Sequence, residues 1–429
     1  MTHSTTIASA FEYAYPLYAV AQTRYRAVQD PDNAQRHAPN TVRHERRLSD
    51  AASRWITAPN NDTLYSNAWL DLSGGPVKVR VGPVPTGRYW SVALMDAYTN
   101  HFGMLGQRLA GCGPAEVTLV GPRHHDSPVS GRTLRVPGDD VWLFARWLVD
   151  GEADLPQAHA MQETLDVIAS GAPAHAPRTI PTHPTDPANF LAVVNEALAR
   201  NPPPDAQAPL VASWASVGLL PGVRDAWATL DDNVRQLWAS GSQAQFAQLG
   251  AAGARGRRDI QGWIASGLEI GNFGTHYALR ASVALGGLGA LEPVEARYFV
   301  KFHDAEKRLL DGRRHYLLRI PPGGIPTDSF WSFSMYEPTS DGKRFFVQNP
   351  INRYSVGNRT AGLVYNADGS LYIALQCTAP DDARLRANWL PTPGGTFQIS
   401  LRTYLPRPEL IDGSARMPEV ICTDSPKKV

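Results

Sequence analysis

Asp62, Asp96 and His101 are the residues whose types and placement best suit acid–base chemistry. Asp62 closes the run Pro59-Asn60-Asn61-Asp62, a turn signal whose side chains can bond local backbone. Asp96 closes an apolar run and is followed by Tyr98, Asn100 and His101. A carboxyl buried beside Tyr or Trp has its pKa raised and can act as a general acid or base, with Arg88 or Arg353 stabilising developing negative charge. Asn61 and Asn67 add amides, and Tyr65, Trp69, Trp331, Tyr336 and Tyr354 add ring faces that suit a sugar or a planar ligand. Asp62, Asp71 and Asp96 are expected to converge at one end of a sandwich, where strand ends present loops for chemistry. The plainer alternative is that Asn60 to Asp62 caps a turn, that Asp96 pairs with an arginine at an interface, and that most of the aromatics are core.

These residues need strands to position them. From Leu64, Leu64, Ser66, Ala68, Leu70 and Leu72 share one face while Tyr65, Asn67, Trp69 and Asp71 share the other. Val77, Val79 and Val81 alternate with Lys78 and Arg80, and Tyr89 to Met95 follows a Pro-Thr-Gly turn, so the segment reads as an antiparallel meander. The stretch from Val84 to Asp96 aligns without a gap to Ile325 to Glu337, 241 positions later, matching Pro, Thr, Trp and Ser and placing Trp90 on Trp331. A duplication is the economical explanation.

At 429 residues the chain is long enough for two or three domains. Its 41 basic and 40 acidic residues cancel, so no overall field favours nucleic acid or an anionic membrane. Cys112, Cys377 and Cys422 lie far apart, which indicates neither a zinc site nor a disulfide framework. The adjacent His124 and His125 cannot ordinarily present both rings to one metal from a strand. No metal and no cofactor is expected: G-x-S-x-G, H-E-x-x-H and the phosphate loop G-x-x-x-x-G-K are missing, and Arg255-Gly256-Arg257-Arg258 does not supply one. The N-terminus has no basic n-region and is interrupted by Glu12 and Pro16, and no apolar run reaches the roughly 18–20 residues of a bilayer span. A cytoplasmic protein without membrane contact is the expectation, with a homo-oligomer left open.

In chain order, residues 1–50 read as a short helix pair broken at Pro16, followed by a polar arm. Residues 51–150 form a first β-sandwich domain, with further strands at 116–120, 133–136 and 141–149. Residues 151–294 read as an α-helical middle, with helices at 158–170, 189–200 and 224–238 and a fourth segment running through Trp263 and Ile264. Residues 295–429 form a second jelly roll, with strands at 298–302, 316–320, 330–336, 363–365, 371–376 and 396–404, and a hairpin turn at Asn366 to Gly369. The fold class is mainly β with a substantial helical segment: two antiparallel jelly-roll or sandwich domains related by duplication, with a helical insert between them.

The chain resembles bacterial proteins built from two consecutive domains of unknown function, an N-terminal and a C-terminal one, that form a double jelly roll with helical additions. The N-terminal resemblance rests on Asn60 to Asn67, Trp69-Leu70-Asp71 and Gly87-Arg88-Tyr89 leading to Met95-Asp96. The C-terminal one rests on Tyr277 with Arg280-Ala281, Phe330-Trp331-Ser332, Asn349-Pro350 with Arg353-Tyr354, Asp368-Gly369-Ser370 and Asn388 to Pro391. It implies that fold and no particular chemistry. Three functions are compatible with the residues: a hydrolase or lyase acting on a small polar or cyclic metabolite through Asp62, Asp96 or His101, a non-catalytic binder of a small molecule or carbohydrate, and a structural or assembly protein. Arg353, beyond the Asn349-Pro350 turn, is expected to pair with a carboxylate in a cleft.

Overall fold

The computed structural model describes residues 2–124, 126–127 and 129–424, and only the backbone of 252–255. His125, the second member of the histidine pair, lies outside the described residues. The chain opens with one helix, α1 (His3–Val28), and not with a pair broken at Pro16. An interior proline costs ~3 kcal/mol. Phe11, Tyr13, Leu17 and Tyr18 are almost completely buried along this helix, and at about 1.5–3 kcal/mol for each such side chain their burial outweighs the break.

The first β-unit comprises β1 (Arg43–His44), β2 (Thr63–Asp71), β3 (Val77–Val81), β4 (Trp90–Met95), β5 (His101–Gly106), β6 (Ala115–Val120), β7 (Thr133–Arg135), β8 (Asp140–Leu148) and β9 (Leu165–Ala169), with α2 (Gln107–Ala110) and α3 (Leu155–Gln162) between strands. Two sheets, ordered β1-β2-β8-β4-β5 and β7-β6-β3-β9, enclose a core that includes Leu70, Val79, Trp90, Val117 and Leu143. The expected meander is therefore wrong. β3 lies in the opposite sheet, because the Leu72–Gly74 turn and Gly75, at φ 138°, carry the chain across the sandwich. The unit also runs past 150, since Leu165–Ala169, placed by the sequence reading at the end of a helix, is a strand paired with β3.

Helices α4 (Pro187–Arg200), α5 (Ala208–Ala212), α6 (Ala226–Thr229), α7 (Asp232–Arg255) and α8 (Tyr277–Gly286) follow. With α1 they share a core that includes Phe11, Phe190, Trp214, Trp238 and Ala281. The helix expected at 224–238 is split at Leu230, whose backbone is extended, and its second part continues to Arg255. Trp263 and Ile264 are not helical. They belong to a hairpin of β10 (Arg258–Ile260) and β11 (Trp263–Ala265) that extends a sheet of the second unit.

That unit contains β12 (Ala296–Lys301), β13 (Tyr316–Ile320), β14 (Trp331–Pro338), β15 (Arg344–Phe345), β16 (Ser355–Gly357), β17 (Leu371–Gln376), β18 (Leu390–Pro391), β19 (Gln398–Tyr404) and β20 (Glu419–Cys422), with α9 (Ala383–Ala387) and α10 (Pro408–Asp412). Its sheets are β10-β11-β12-β19-β14-β15, with β16 also on β14, and β18-β17-β13-β20. Residues 363–365 are not a strand. The Asn388 side chain both donates to and accepts from the Val364 backbone, taking the place of a strand neighbour, so the Asn366 turn leads into β17 without a hairpin.

One strand order occurs twice. β2-β8-β4-β5 corresponds to β12-β19-β14-β16, and β7-β6-β3-β9 to β18-β17-β13-β20, each with one parallel pair, β6/β7 and β17/β18. The duplication therefore holds strand for strand, and Trp90 and Trp331 each open the corresponding strand. The register repeats as well: Tyr65-Arg146-Ser91-Gly106 forms one cross-strand row and Tyr298-Arg402-Ser332-Gly357 the other. The units meet through Tyr89, Ala93 and Leu148 on one side and Leu291, Phe330 and Tyr404 on the other, with the rings of Phe330 and Tyr404 stacked at 4.2 Å.

Candidate functional site

Each unit sends the acid just before its first long strand into the other unit. Asp62 precedes β2 and accepts hydrogen bonds from Ser332 Oγ at 2.5 Å and Ser355 Oγ at 3.2 Å. Glu295 precedes β12 and accepts from Tyr89 Oη at 2.9 Å and Arg108 Nε at 2.8 Å. Burial raises the pKa of both carboxyls, opposed by the Arg402 charge at Asp62 and by the Arg108 and Tyr89 bonds at Glu295. Asn60, and not Asn61, is the inward amide: its Nδ2 reaches Thr63 Oγ1 at 2.9 Å and the hydroxyls of Tyr65 and Tyr404 at 3.0 Å. Asn61 turns away and bonds the Ser49 carbonyl.

Arg146 and Arg402 occupy equivalent rungs and are both buried, with different surroundings. Arg402 Nη1 donates to Ser334 Oγ at 2.6 Å, and Nη2 lies 3.0 Å and 3.1 Å from the Ala58 and Pro59 carbonyls and 2.5 Å from Tyr336 Oη. Among the described residues Arg146 has a single hydrogen-bond acceptor, the Gly289 carbonyl at 2.9 Å, and its buried Nε and Nη1 have none. Its guanidinium lies 4.6 Å from the Phe144 ring centre and 5.6 Å from that of Tyr65. The residues that would correspond to Ser334 and Tyr336 are Ala93 and Met95, which offer no side-chain oxygen.

Tyr298 lies beside Arg146, whose charge opposes the burial that raises the phenol's pKa. Tyr298 also lines a cavity of ≈ 320 Å³ with Ile270, Leu279, Val283, Ala290 and Leu291. Three arginines, Arg257, Arg297 and Arg344, share the wall, and among the described residues no Asp or Glu does. A wider depression of ≈ 640 Å³ over Glu12, Glu269 and His276 shares Gly256, Gly267 and Leu279 with it. The His101 backbone N–H donates to the Gly271 carbonyl at 2.6 Å, one residue from Ile270 of the cavity wall, and His101 itself does not line the cavity. Both His101 ring nitrogens are buried without a well-formed hydrogen bond. Burial, reinforced by Arg146 and opposed by the Ala290 backbone, lowers the His101 pKa to about 4, so the ring is neutral at pH 7.

The other expected site residues serve elsewhere. Asp96 is not near Asp62: Met95, the residue before Asp96, pairs with Trp142 of β8, whereas the Asp62 carbonyl accepts from the Val149 N–H seven residues further along, about 23 Å at the usual strand rise. Asp96 closes its own turn, accepting from the backbone N–H groups of Tyr98 and Asn100 at 2.9 Å and 2.8 Å and from the Asn100 amide; burial raises its pKa and these bonds oppose the rise. Asp71 bonds Arg24 and Arg200. Arg88 pairs with Asp150 and Asp154, and Arg359 of the second unit also holds Asp150. Among the described residues Arg353 meets no carboxylate: its Nη1 donates to the carbonyls of Ala387, at the end of α9, and Trp389, each at 2.9 Å. Trp69 stacks on Trp142 at 5.1 Å, and Asn67 Oδ1 accepts from Trp142 Nε1 at 3.2 Å. Trp331 is core, and Tyr336 and Tyr354 pack with Phe346. Tyr65 remains half-buried, stacked on Phe144 at 5.1 Å. His124 Nε2 lies 3.2 Å from the Ser73 carbonyl, and no group of three or more His, Cys, Asp or Glu among the described residues could hold a metal ion.

Arg146, Tyr298, Arg297 and Arg344 were not singled out from the sequence. The signal for Arg146 was the lone charge inside the apolar run Val141 to Val149, since a charged side chain in a buried strand needs a partner or a purpose.

Two jelly rolls of the same strand order, locked by exchanged acids and joined through helices, define the class of protein. Residues 39–168 match the family model described as "Protein of unknown function (DUF1254)" and residues 295–408 the one described as "Protein of unknown function (DUF1214)", and the chain belongs to the family that carries these two domains in succession. Its fold is similar to the crystal structure of the VPA0106 protein from Vibrio parahaemolyticus, with a TM-score of 0.76 and 21% identity over 99% of this chain and 100% of that one. A crystal structure of an uncharacterised protein from Burkholderia cenocepacia aligns over 97% of this chain and 88% of that one at 16% identity and a TM-score of 0.44, too low to carry an argument. No curated protein matches the chain.

Proposed function

We propose that the chain binds a small molecule in the cavity against β12 and α8. The observation that carries this reading is the cavity itself, ≈ 320 Å³ in volume, walled mainly by apolar side chains and backbone with Tyr298, Ser266, Ser282 and three arginines as its polar groups. Sites for small ligands have this size and make-up. The test is a metabolite library screened by thermal shift on the full chain. A ligand at a hundred times its dissociation constant adds about 2.7 kcal/mol of apparent stability. Gly286 lines the cavity, and a Cβ there meets nothing within 4 Å, so Gly286→Leu should fill the space without a clash and abolish the shift. Hits that shift the variant as strongly as the parent chain would move the site elsewhere.

A second reading, an enzyme of hydrolase or lyase type, is favoured by His101, a neutral imidazole with unbonded nitrogens beside Gly271 and Ala290. As general base it would contribute roughly 10²–10⁴-fold. His101→Gln should lower turnover of a library hit by that order and keep its thermal shift; unchanged turnover would leave a binder. Asp62 and Asp96, bonded as described, serve the fold in either reading. Among the described residues no helix is long and apolar enough to cross a membrane. A cytoplasmic setting fits Cys112, Cys377 and Cys422, all of them free thiols.

A further inference from the structure

The duplication supplies an internal control for the paired tryptophans. In the first unit the chain itself covers Trp90. After Gly106, α2 turns the backbone so that Trp90 Nε1 donates to the Gly111 carbonyl at 2.9 Å and the Val84 N–H to the Cys112 carbonyl at 2.6 Å. Two successive carbonyls of a Gly-Cys-Gly segment thus satisfy both donors. The second unit keeps the donors and lacks that segment. Trp331 and Ile325 stand at the aligned positions, and among the described residues neither Trp331 Nε1 nor the Ile325 N–H has an acceptor. The stretch after Gly357 forms no helix and leads away, with Val364 held by the Asn388 side chain.

A pocket of ≈ 360 Å³ lies at this place, and its lining includes Gly323, Gly324, Ile325, Trp331, Asn358 and Tyr365. A Cβ at Gly323 would meet nothing within 4 Å and one at Gly324 only Trp331 Nε1, at 4.0 Å, so the indole edge of an otherwise buried ring opens on the pocket. Tyr365, 46% exposed, adds a ring face. Among the described residues no Asp, Glu, Lys or Arg lines the pocket, which disfavours a charged ligand. It shares no residue with the cavity against β12 and α8.

We propose that this second pocket is a peptide-docking site. It receives an extended, uncharged segment of another protein, rich in small residues, whose successive carbonyls accept from Trp331 Nε1 and the Ile325 N–H as those of Gly111 and Cys112 accept from Trp90 and Val84. Main-chain hydrogen bonds carry affinity in peptide recognition, and the Tyr365 ring supplies an apolar face beside them. A sugar hydroxyl could meet the indole N–H, but the first unit shows this same pair of donors taken by consecutive peptide carbonyls.

The test uses the full chain labelled with nitrogen-15 at tryptophan, whose eleven indole N–H signals are read by NMR. Trp90→Phe and Trp331→Phe assign two of them. The probe is residues 109–115 as an end-blocked peptide carrying Cys112→Ser. At millimolar peptide the Trp331 signal is expected to shift saturably, while that of Trp90, already bonded to Gly111, stays in place. Tyr365→Ala, at an exposed position, should keep the melting temperature and weaken the peptide by roughly three- to tenfold, the loss typical of an aromatic contact. An unmoved Trp331 signal would overturn the proposal, as would movement of Trp90 in its stead or an unchanged affinity in Tyr365→Ala. An equal shift with maltose would make the pocket a site for neutral sugars and overturn the peptide. A Trp331 shift that follows protein concentration alone would make a second copy of this chain the occupant and overturn a separate partner.

Discussion

Asp62 and Ser332 are 270 positions apart in the chain and 2.5 Å apart in the fold. Burial holds the Asp62 carboxyl above the unfolded value near 3.9. The folded state thus keeps a proton that the unfolded state releases, and stability falls as pH rises from the unfolded value to the raised one. Asp62→Asn is neutral throughout and lacks that slope, so in urea titrations it should gain on the parent between acid and neutral pH. A constant difference across that range would mean that the carboxyl is ionised at both ends. Ser332→Ala should cost about 1.5–3 kcal/mol beside a charged Asp62 and less in the Asp62→Asn background.

Asp140 predicts the opposite sign. Arg200 lies 2.6 Å from Asp140 and 2.9 Å from Asp71, and Arg24 of α1 lies 3.0 Å from Asp71, so one buried network fastens α1 and α4 to the end of β2 and β8. Desolvation pushes the Asp140 carboxyl up, and Arg200 and Arg24 more than reverse it, holding it well below the usual carboxylate range. Its contribution is present above the unfolded pKa near 3.9 and is lost as pH falls below it. Asp140→Asn should cost about 3–5 kcal/mol at neutral pH. Chemical denaturation at pH 7 and pH 3 should show the deficit shrinking at the lower pH.

Gly357 and Gly106 occupy equivalent rungs against Ser332 and Ser91, and both are closed to a Cβ. At Gly357 the added atom would stand 2.2 Å from the Trp331 carbonyl oxygen, and at Gly106 2.9 Å from that of Trp90. Overpacking costs typically about 1–3 kcal/mol. Gly357→Ala should lie at or above the top of that range and Gly106→Ala toward the bottom, and equal unfolding midpoints would contradict the difference in clearance.

Asp96 separates capping from chemistry. Asp96→Asn keeps an oxygen for the Tyr98 and Asn100 N–H groups and should change stability by less than Asp96→Ala, which leaves both donors unmet at roughly 1–3 kcal/mol. Thermal melts of the two variants decide it. An alanine variant as stable as the parent would show that water replaces the carboxylate.

Much of the architecture was legible because turns and strand faces are local. The Pro-Thr and Trp-Ser matches located the duplication, and alternation from Leu64 separated the aliphatic face from the aromatic one. Alternation fixes a face and says nothing about which strand lies alongside, so Val77 to Val81 read as a neighbour of β2 when it belongs to the opposite sheet. Gly241 and Gly250 hid the second half of α7, where Trp238 and Leu249 are buried in the helical core and hold the helix against its weak propensity. The candidate site was less legible. His101 and Tyr65 were named, yet the turn at Asn349 aimed Arg353 at carbonyls, and Arg146 became conspicuous only when set beside Arg402.

The crossed acids also determine where the chain can be cut. A fragment holding only the first unit would keep Asp62 and the Pro59 carbonyl but lose Ser332, Ser355, Tyr336 and Arg402, and the complementary fragment would lose Asp62 and Tyr89. Each would also turn to water a face that is dry in the whole protein, Tyr89 and Leu148 on one and Phe330 and Tyr404 on the other. The repeats are thus not interchangeable modules. Neither is expected to be soluble by itself, linker length matters less to them than their mutual grip, and swapping one repeat between relatives would require exchanging both ends of every crossed contact together.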